Sequence, residues 1–268
     1  YDGLPYGIPK CGTVEQIKAI DGKILYKAWK DVLSKAFIRV NIISDTLMQG
    51  LTDRISARLS SVERNCTVDF SNNINLSPTE NPKRIDEPSD VTQGKLVMGF
   101  VSSLCGNDKD TVPLMLMSDI FGGGPYSRLF SNVREKMSLC YYCAARTVRV
   151  KGLLTVESGV EKENIEKTEK AVLEQLEIMK QGGFTDFEFE SSKKSCIDSI
   201  NTYNDSQALL DTWYSLKIFD GSPAEPETLS RLINGVTKEE IVNAAQGIKL
   251  HTVFRLLPKE TDMGGQAK

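Results

Sequence analysis

Arg134 and Tyr141 are the residues of this chain whose types and spacing best suit chemistry on a bound molecule. They lie seven positions apart within GGGPYSRLFSNVREKMSLCYYC, residues 122–143. A guanidinium binds carbonyl oxygens through a fork of N–H donors, and a phenol hydroxyl donates a hydrogen bond to an oxyanion. From residue type alone the structural interpretation is favoured, in which Arg134 caps a helix C-terminus or pairs with a neighbour of Glu135 and Tyr141 fills the core.

The glycines Gly122, Gly123 and Gly124 open the same segment. A phosphate-binding loop of glycines follows a strand and leads into a Lys-Ser/Thr pair, and this segment has neither feature. We therefore expect the glycines to end one helix and to form the corner that leads into the next.

Cys140 and Cys143 form a C-x-x-C motif, one pair among only six cysteines in 268 residues. The motif could be half of a zinc site or a redox pair, but the chain has no second C-x-x-C and a single histidine, His251. The surrounding segment is typical of a strand, in which residues three apart face opposite sides of the sheet. We expect both thiols to be small core residues and the chain to hold no metal.

Residues 13–65 have the pattern of a helix, a strand and a helix. Thr13 and Gln16 form a capping box, AFIRVNII (36–43) is typical of a strand, and residues 51–63 form an amphipathic helical pattern. The helix over KILYKAWKDVL is predicted to bury one apolar stripe, which consists of Ile24, Leu25, Ala28, Trp29 and Val32. Residues 66–92, rich in proline and asparagine, are predicted to be a linker.

The remaining residues, 93–268, have a denser pattern. Capping boxes at Thr185/Glu188 and Thr237/Glu240 mark two helix starts, and Gly182–Gly183 ends the helix before them. Strands are predicted over 94–103, 139–149, 153–160 and 249–258, and helices over 110–121, 126–136 and 162–181. This order predicts an α+β fold in which helices cover one side of a single antiparallel sheet.

Composition narrows the function classes. The chain is 40% hydrophobic and 26% charged, as in globular proteins, and its net charge of -3 provides no basic field for nucleic acid. No apolar run approaches the roughly 18 residues of a membrane span, and no signal segment opens the chain. We expect no nucleic-acid or membrane partner, a cytoplasmic location and, since the sequence opens without Met, a fragment of a longer protein.

The segment FGGGPYSRLFSNVREKMSLCYYCAA resembles the C-terminal half of the pitrilysin-type (inverzincin) zinc metallopeptidases. VTQGKLVMGF and LPYGIPKCGTVEQIKAIDGKILYKAW are similar to further family stretches, so the resemblance spans nearly the whole chain. EKMSLCYYCAAR is most similar to the Gram-positive bacterial branch, which often lacks the zinc motif. Two departures are Ser138, where the family has Gly, and Pro125–Tyr126, where it has small residues.

The resemblance implies two similar α+β units that close like a clamshell over an unfolded peptide. Residues 1–65 would be the remainder of the first unit, 66–92 the linker and 93–268 a complete second unit. The family's zinc motif, His-x-x-Glu-His, cannot be formed with His251 alone, so this chain by itself is predicted to be inactive. Zinc is expected only in a missing N-terminal part or in a partner.

The resemblance also assigns the site residues. Arg134 and Tyr141 match the arginine and tyrosine with which the family's second unit contacts substrate and oxyanion across from the zinc. Gly122, Gly123, Gly124, Ser127 and Arg128 would be structural, with Arg128 tying the glycine corner to a backbone carbonyl.

Three hypotheses follow from the resemblance. The chain is the peptide-clamping part of a homo- or heterodimer whose other subunit carries zinc, a piece of a self-sufficient zinc peptidase, or a structural subunit with no proteolytic role.

Overall fold

The computed structural model describes residues 1, 3–46, 48–66, 75–106, 108–217 and 225–259. The chain divides into two compact units, Tyr1–Ile74 and Asn75–Lys268.

The described part of the first unit consists of three helices and their connections: α1 (Val14–Lys18), α2 (Gly22–Lys35) and α3 (Leu51–Ser60). The capping box at α1 is confirmed, because Thr13 N donates to Gln16 Oε1 over 2.8 Å and Gln16 N donates to Thr13 Oγ1 over 3.2 Å. Asp21 caps α2 by accepting from the backbone N–H of Ile24 over 2.7 Å. The helix starts thus follow from local side-chain bonds.

Two predictions for the first unit are wrong. The apolar stripe of α2 is exposed, with Trp29 at 55% and Leu25 at 62% of their full accessibility. Residues 36–43 form no strand. Both predictions fail for lack of a partner. An amphipathic helix needs a second layer to cover its apolar face, and a β-prone segment needs a hydrogen-bonded neighbouring strand. The described residues of this unit include no strand.

The second unit is built on one five-stranded sheet in the order β1-β5-β2-β4-β3. The strands are β1 (Lys83–Ser89), β2 (Gly94–Ser102), β3 (Tyr142–Val148), β4 (Leu153–Val160) and β5 (Ile248–Pro258). The pairs β2–β4, β2–β5 and β3–β4 are antiparallel, as predicted, whereas β1 pairs with β5 in parallel.

Strand β1 lies within residues 66–92, so the expected linker does not extend over that whole range. Its sequence, KRIDEPS, has little β-branched content, and Pro88 argues against a central strand. Proline is tolerated here because β1 is an edge strand with a neighbour on one side only.

The helices of the second unit include α4 (Asp108–Gly122), a π-helix (Leu129–Lys136), α5 (Ile165–Lys180), α6 (Asp186–Asn201), α7 (Gln207–Leu216), α8 (Pro226–Gly235) and α9 (Lys238–Gln246). The capping boxes of α6 and α9 are confirmed at Thr185/Glu188 and Thr237/Glu240. The helix predicted over 126–136 is a π-helix from Leu129 to its end at Lys136, a form that often marks functional segments.

The core lies between one face of the sheet and the helices. Leu96, Met98 and Phe100 of β2 are fully buried, while the alternate residues Lys95 and Val97 face the more open side. Helices α4 and α5 pack on the sheet, and α5 buries one face that includes Ile165, Val172 and Leu176. The α+β fold with helices on one side of the sheet is confirmed.

No helix in the described parts of the chain is long and apolar enough to cross a membrane.

Candidate functional site

The glycine corner brings the end of α4 against the backbone of β3. A Cβ atom on Gly122 would lie 2.5 Å from the amide nitrogen of Ala145, and one on Gly123 would lie 2.8 Å from Cα of Asp119. No side chain fits at either position without moving main chain. Glycine is therefore needed here for close packing, since neither residue has a positive φ.

Arg128 joins the start of the π-helix to α5 and α6. Its Nη1 donates to the carbonyl oxygen of Gly183 over 2.6 Å and lies 3.4 Å from Glu188 Oε1, and its Nη2 donates to Gln175 Oε1 over 2.9 Å. The side chains of Arg128 and Glu188 are each only 11% exposed. Ser127, fully buried, closes the turn by donating its backbone N–H to the carbonyl of Gly124 over 2.9 Å.

Arg134 lies on the π-helix and reaches the segment that leads into β3. Its Nε donates to the carbonyl oxygen of Tyr141 over 2.8 Å, and its Nη1 pairs with Glu135 Oε1 over 2.8 Å. The guanidinium lies over the ring of Phe130, 4.6 Å from the centroid. Among the described residues none accepts a hydrogen bond from Nη2, so this N–H group is available to an incoming acceptor.

Tyr141 is more than half exposed, and its hydroxyl donates a hydrogen bond to Glu161 Oε1. This bond to a carboxylate, with the charge of Glu161, raises the pKa of Tyr141. The phenol therefore stays protonated at neutral pH, and it must leave Glu161 before it can donate to another acceptor.

Arg134 and Tyr141 line one open cleft of about 350 Å³. The other walls are the glycine corner, Phe130 and the first residues of β3, which is one of the two edge strands of the sheet. Within the described parts of the chain, no three His, Cys, Asp or Glu residues are placed to hold a metal. The cleft thus offers hydrogen-bond donors and an aromatic surface, which suit binding and the stabilisation of negative charge.

The prediction that Cys140 and Cys143 face opposite sides of a strand is wrong. Alternation applies only inside a strand, and β3 begins at Tyr142, so Cys140 belongs to the irregular segment before it. Cys143 is buried, in line with its expected core position, and it also lines the cleft.

Ser138 has a φ of 50°, in the left-handed region that favours glycine. It is the residue that stands where the resembling family has Gly. Ser138 therefore adopts, with some strain, a backbone conformation that a glycine would adopt without strain.

Two contributors to the cleft escaped the sequence analysis. Glu161 holds the hydroxyl of Tyr141, and Phe130 supports the guanidinium of Arg134. Phe130 lies four positions before Arg134, a helical spacing that brings side chains together and could have indicated the contact. Glu161 follows the end of β4, twenty residues from Tyr141, and only the β3–β4 pairing brings it near.

The comparison with family models matches residues 23–196 to the family described as "Peptidase M16 inactive domain". The chain belongs to this family, and its resemblance to pitrilysin-type metallopeptidases is confirmed.

A curated relative from Bacillus subtilis, "Probable inactive metalloprotease YmfF", is 31% identical over 258 residues, which cover 94% of this chain and 59% of the relative. The chain thus spans less than two thirds of that relative.

Two solved structures share the fold. A "conserved protein from Enterococcus faecalis V583" superposes with a TM-score of 0.84 at 23% identity, over 95% of this chain and 60% of that one. The "peptidase M16 inactive domain from Pseudomonas fluorescens" superposes with a TM-score of 0.71 at 21% identity, over 97% of this chain and 63% of that one.

Proposed function

We propose that this chain is the substrate-clamping, C-terminal part of a pitrilysin-like zinc peptidase or of its non-catalytic partner subunit, and that it binds unfolded peptide in a clamshell chamber. The observation that carries the proposal is the placement of Arg134 and Tyr141 in one open cleft beside the edge strand β3. The chain itself would supply binding groups and no metal.

Recognition would begin at the main chain of the peptide. An edge strand presents N–H and C=O groups that an extended peptide can pair with. In the part of the chain that the structure describes, β3 pairs with one strand, β4, on its other side. The Nη2 of Arg134, which has no acceptor among the described residues, would then bind a peptide carbonyl oxygen. Its Nε bond to the Tyr141 carbonyl and its contact with Phe130 hold the guanidinium in position for this bond.

The bond-breaking step would occur at a zinc ion held elsewhere. With His251 as the only histidine, the family's two-histidine motif would lie in sequence before Tyr1 or in a partner subunit. We propose a homo- or heterodimer with another pitrilysin-like subunit, located in the cytoplasm. Tyr141 would donate to the oxyanion only after its hydroxyl leaves Glu161.

Peptide binding by the purified chain tests the proposal. We expect a fluorescently labelled, unstructured peptide to bind with a measurable change in anisotropy. Arg134→Ala should weaken the affinity about tenfold or more, since a charge-assisted hydrogen bond contributes roughly 1.5–3 kcal/mol. Arg54→Ala, which removes an exposed arginine of α3, is the matched control and should bind like the wild type. Equal affinity of all three proteins would contradict the proposal.

A structural subunit with no proteolytic role is the second candidate. It is favoured by the name of the Bacillus subtilis relative, a probable inactive metalloprotease. This candidate predicts that no peptide binds to the cleft, while the whole protein still associates tightly with a partner subunit. Sedimentation of the whole protein measures its association with the co-purified partner, for wild type and for Arg134→Ala. Partner association without any change in peptide anisotropy favours the structural subunit, whereas peptide binding that Arg134→Ala weakens favours the peptide clamp.

A further inference from the structure

A second cavity lies at the other end of α4 from the cleft. It has a volume of about 760 Å³, and its walls are the loop after β2, the N-terminal end of α4 and helices α8 and α9. All of these elements belong to the second unit. Because a helix rises about 1.5 Å per residue, the two ends of α4 (Asp108–Gly122) lie about 20 Å apart. The cavity is therefore a separate site from the cleft beside the glycine corner.

The floor of this cavity is apolar and is part of the packed core. Its residues are Leu104, Val112, Pro113, Leu232, Val236 and Ala244. Val112, Val236 and Ala244 are buried members of the hydrophobic core, and α4 packs against both α8 and α9. Close-packed helices hold the cavity open in the absence of a ligand. Preformed, mainly apolar cavities of roughly 300–1,000 Å³ are typical binding sites for small molecules.

Two cationic side chains lie at the rim of the cavity. Lys109 belongs to the first turn of α4 and Arg231 to α8, and both are exposed. Arg231 Nη2 donates to Thr228 Oγ1 over 3.1 Å. Among the residues that the structure describes, neither cation pairs with a carboxylate. Their remaining N–H groups are therefore available to an anion at the mouth of the cavity.

Two carboxylates in the lining limit the charge that a ligand can carry. Glu240 accepts from the backbone N–H of Thr237 over 2.8 Å and from its hydroxyl over 3.0 Å, and Asp110 is engaged in an interaction of its own. A ligand with a single negative charge can be bound by the two cations. A second negative charge on the ligand would be repelled by the two carboxylates.

We propose that this cavity binds a small amphipathic monocarboxylate of the medium-chain fatty acid class. The apolar body of the ligand lies on the floor of the cavity, where its removal from water stabilises the complex. Its carboxylate accepts charge-assisted hydrogen bonds from the guanidinium of Arg231 and the ammonium of Lys109. The ligand thus matches both the apolar floor and the cationic rim.

Cys105 reports on occupancy of the cavity, because it lines the cavity and its side chain is exposed. The folded chain is alkylated with iodoacetamide for timed intervals, with and without octanoate, and is then digested with trypsin. The tryptic peptide 96–109 contains Cys105 as its one cysteine. The peptide 11–18 contains Cys11, an exposed cysteine of the first unit, which serves as the internal control.

We expect octanoate to slow the alkylation of Cys105 in a saturable way, by about tenfold at ten times its dissociation constant, and to leave Cys11 unchanged. Octanamide, the uncharged analogue, should need a concentration about tenfold or more higher for the same protection, because it lacks the charge-assisted hydrogen bonds. Arg231→Ala should weaken the binding of octanoate by a similar factor. Arg146→Ala, which removes an exposed arginine of β3, should bind octanoate like the wild type.

A second variant blocks the cavity itself. Gly235 lines the cavity, and no atom lies within 4 Å of the position that a Cβ on Gly235 would take. The ring of Gly235→Phe therefore has room to occupy the cavity, and octanoate should no longer protect Cys105. Gly22→Phe, at the start of α2, also places its Cβ in open space and is the matched control, in which protection should be retained. Circular dichroism confirms that both variants are folded.

Three results would overturn the inference. One is the absence of saturable protection of Cys105 up to the solubility limit of octanoate. Another is equal protection by octanoate and octanamide, since this would show that the rim does not recognise an anion. The third is unchanged protection in both Gly235→Phe and Arg231→Ala, which would place octanoate outside the cavity. None of these measurements uses a substrate peptide, so their outcome is independent of the proposed function.

Discussion

Replacing Arg128 with alanine should destabilise the second unit more than any other single change at the glycine corner. The guanidinium is nearly buried and makes three contacts, with the carbonyl of Gly183, the amide of Gln175 and the carboxylate of Glu188. Removal leaves the Glu188 carboxylate without its cation and the Gly183 carbonyl without its donor, whereas Gln175 Oε1 still accepts from Asn132 Nδ2 over 3.1 Å.

The expected loss is about 3 kcal/mol in the free energy of unfolding. Removing one partner of a buried ion pair typically costs about 3–5 kcal/mol. We expect the lower end, because the Glu188 carboxylate keeps two donors, the backbone N–H of Thr185 at 2.6 Å and its hydroxyl at 3.0 Å. Arg128→Lys should recover part of this loss, since it keeps the charge but not the fork of donors.

Urea unfolding followed by circular dichroism measures this difference. Arg146→Ala is the matched control: Arg146 is an exposed arginine of β3 in the same unit, and its loss should change the free energy of unfolding by less than about 0.5 kcal/mol. A loss below about 1 kcal/mol for Arg128→Ala, with an unchanged slope against urea, would refute the reasoning that this buried contact holds the corner together.

Three further substitutions test local features of the second unit by urea unfolding. Ser138→Gly should stabilise by about 1 kcal/mol, because it relieves the left-handed φ; a loss of stability would contradict this. Gly122→Ala should cost about 1–3 kcal/mol through its clash with β3, whereas Gly22→Ala, with open space around it, should cost nothing. Burial raises the pKa of Asp119, so the stability its carboxyl contributes is present below pH 3.8 and is lost as pH rises through the raised pKa. The free energy of unfolding of the wild type, compared with that of Asp119→Asn, should therefore fall from acid to neutral pH. A difference that does not change with pH would contradict the raised pKa of Asp119.

Much of the second unit is predictable from sequence because its signals are local. The boundaries of β4 match the prediction, and the capping boxes at Thr185 and Thr237 mark the true helix starts. These signals depend on residues within one turn or on simple alternation, so no tertiary information is needed.

The wrong predictions share one physical cause. Each depends on a neighbour elsewhere in the fold, and the local sequence pattern carries no information about that neighbour. The spacing of apolar residues in α2 correctly predicts an apolar face. It does not predict whether another element covers that face, and Trp29 on it is exposed. Strand β1 exists because β5 pairs with it, although its own composition disfavours a strand. Cys140 lies two residues before Tyr142, where β3 begins, so strand alternation does not apply to it.

The candidate site has features that the sequence predicts and features that depend on distant neighbours. Residue types and the family resemblance selected Arg134 and Tyr141, but the hydrogen bond between the Arg134 side chain and the Tyr141 carbonyl follows from the turn between the π-helix and β3. The pairing of Tyr141 with Glu161 depends on the β3–β4 register and so could not be predicted from either segment alone.

The most direct test of the central claim is the rate of peptide hydrolysis by the whole natural protein together with its zinc-bearing subunit or segment. We compare wild type, Arg134→Ala, Tyr141→Phe and, as a control outside the cleft, Tyr203→Phe. We expect turnover to fall by a factor of about 10² or more for Arg134→Ala and for Tyr141→Phe at unchanged zinc content, since loss of one oxyanion donor commonly costs this much. Turnover equal to that of the wild type in both variants would contradict it.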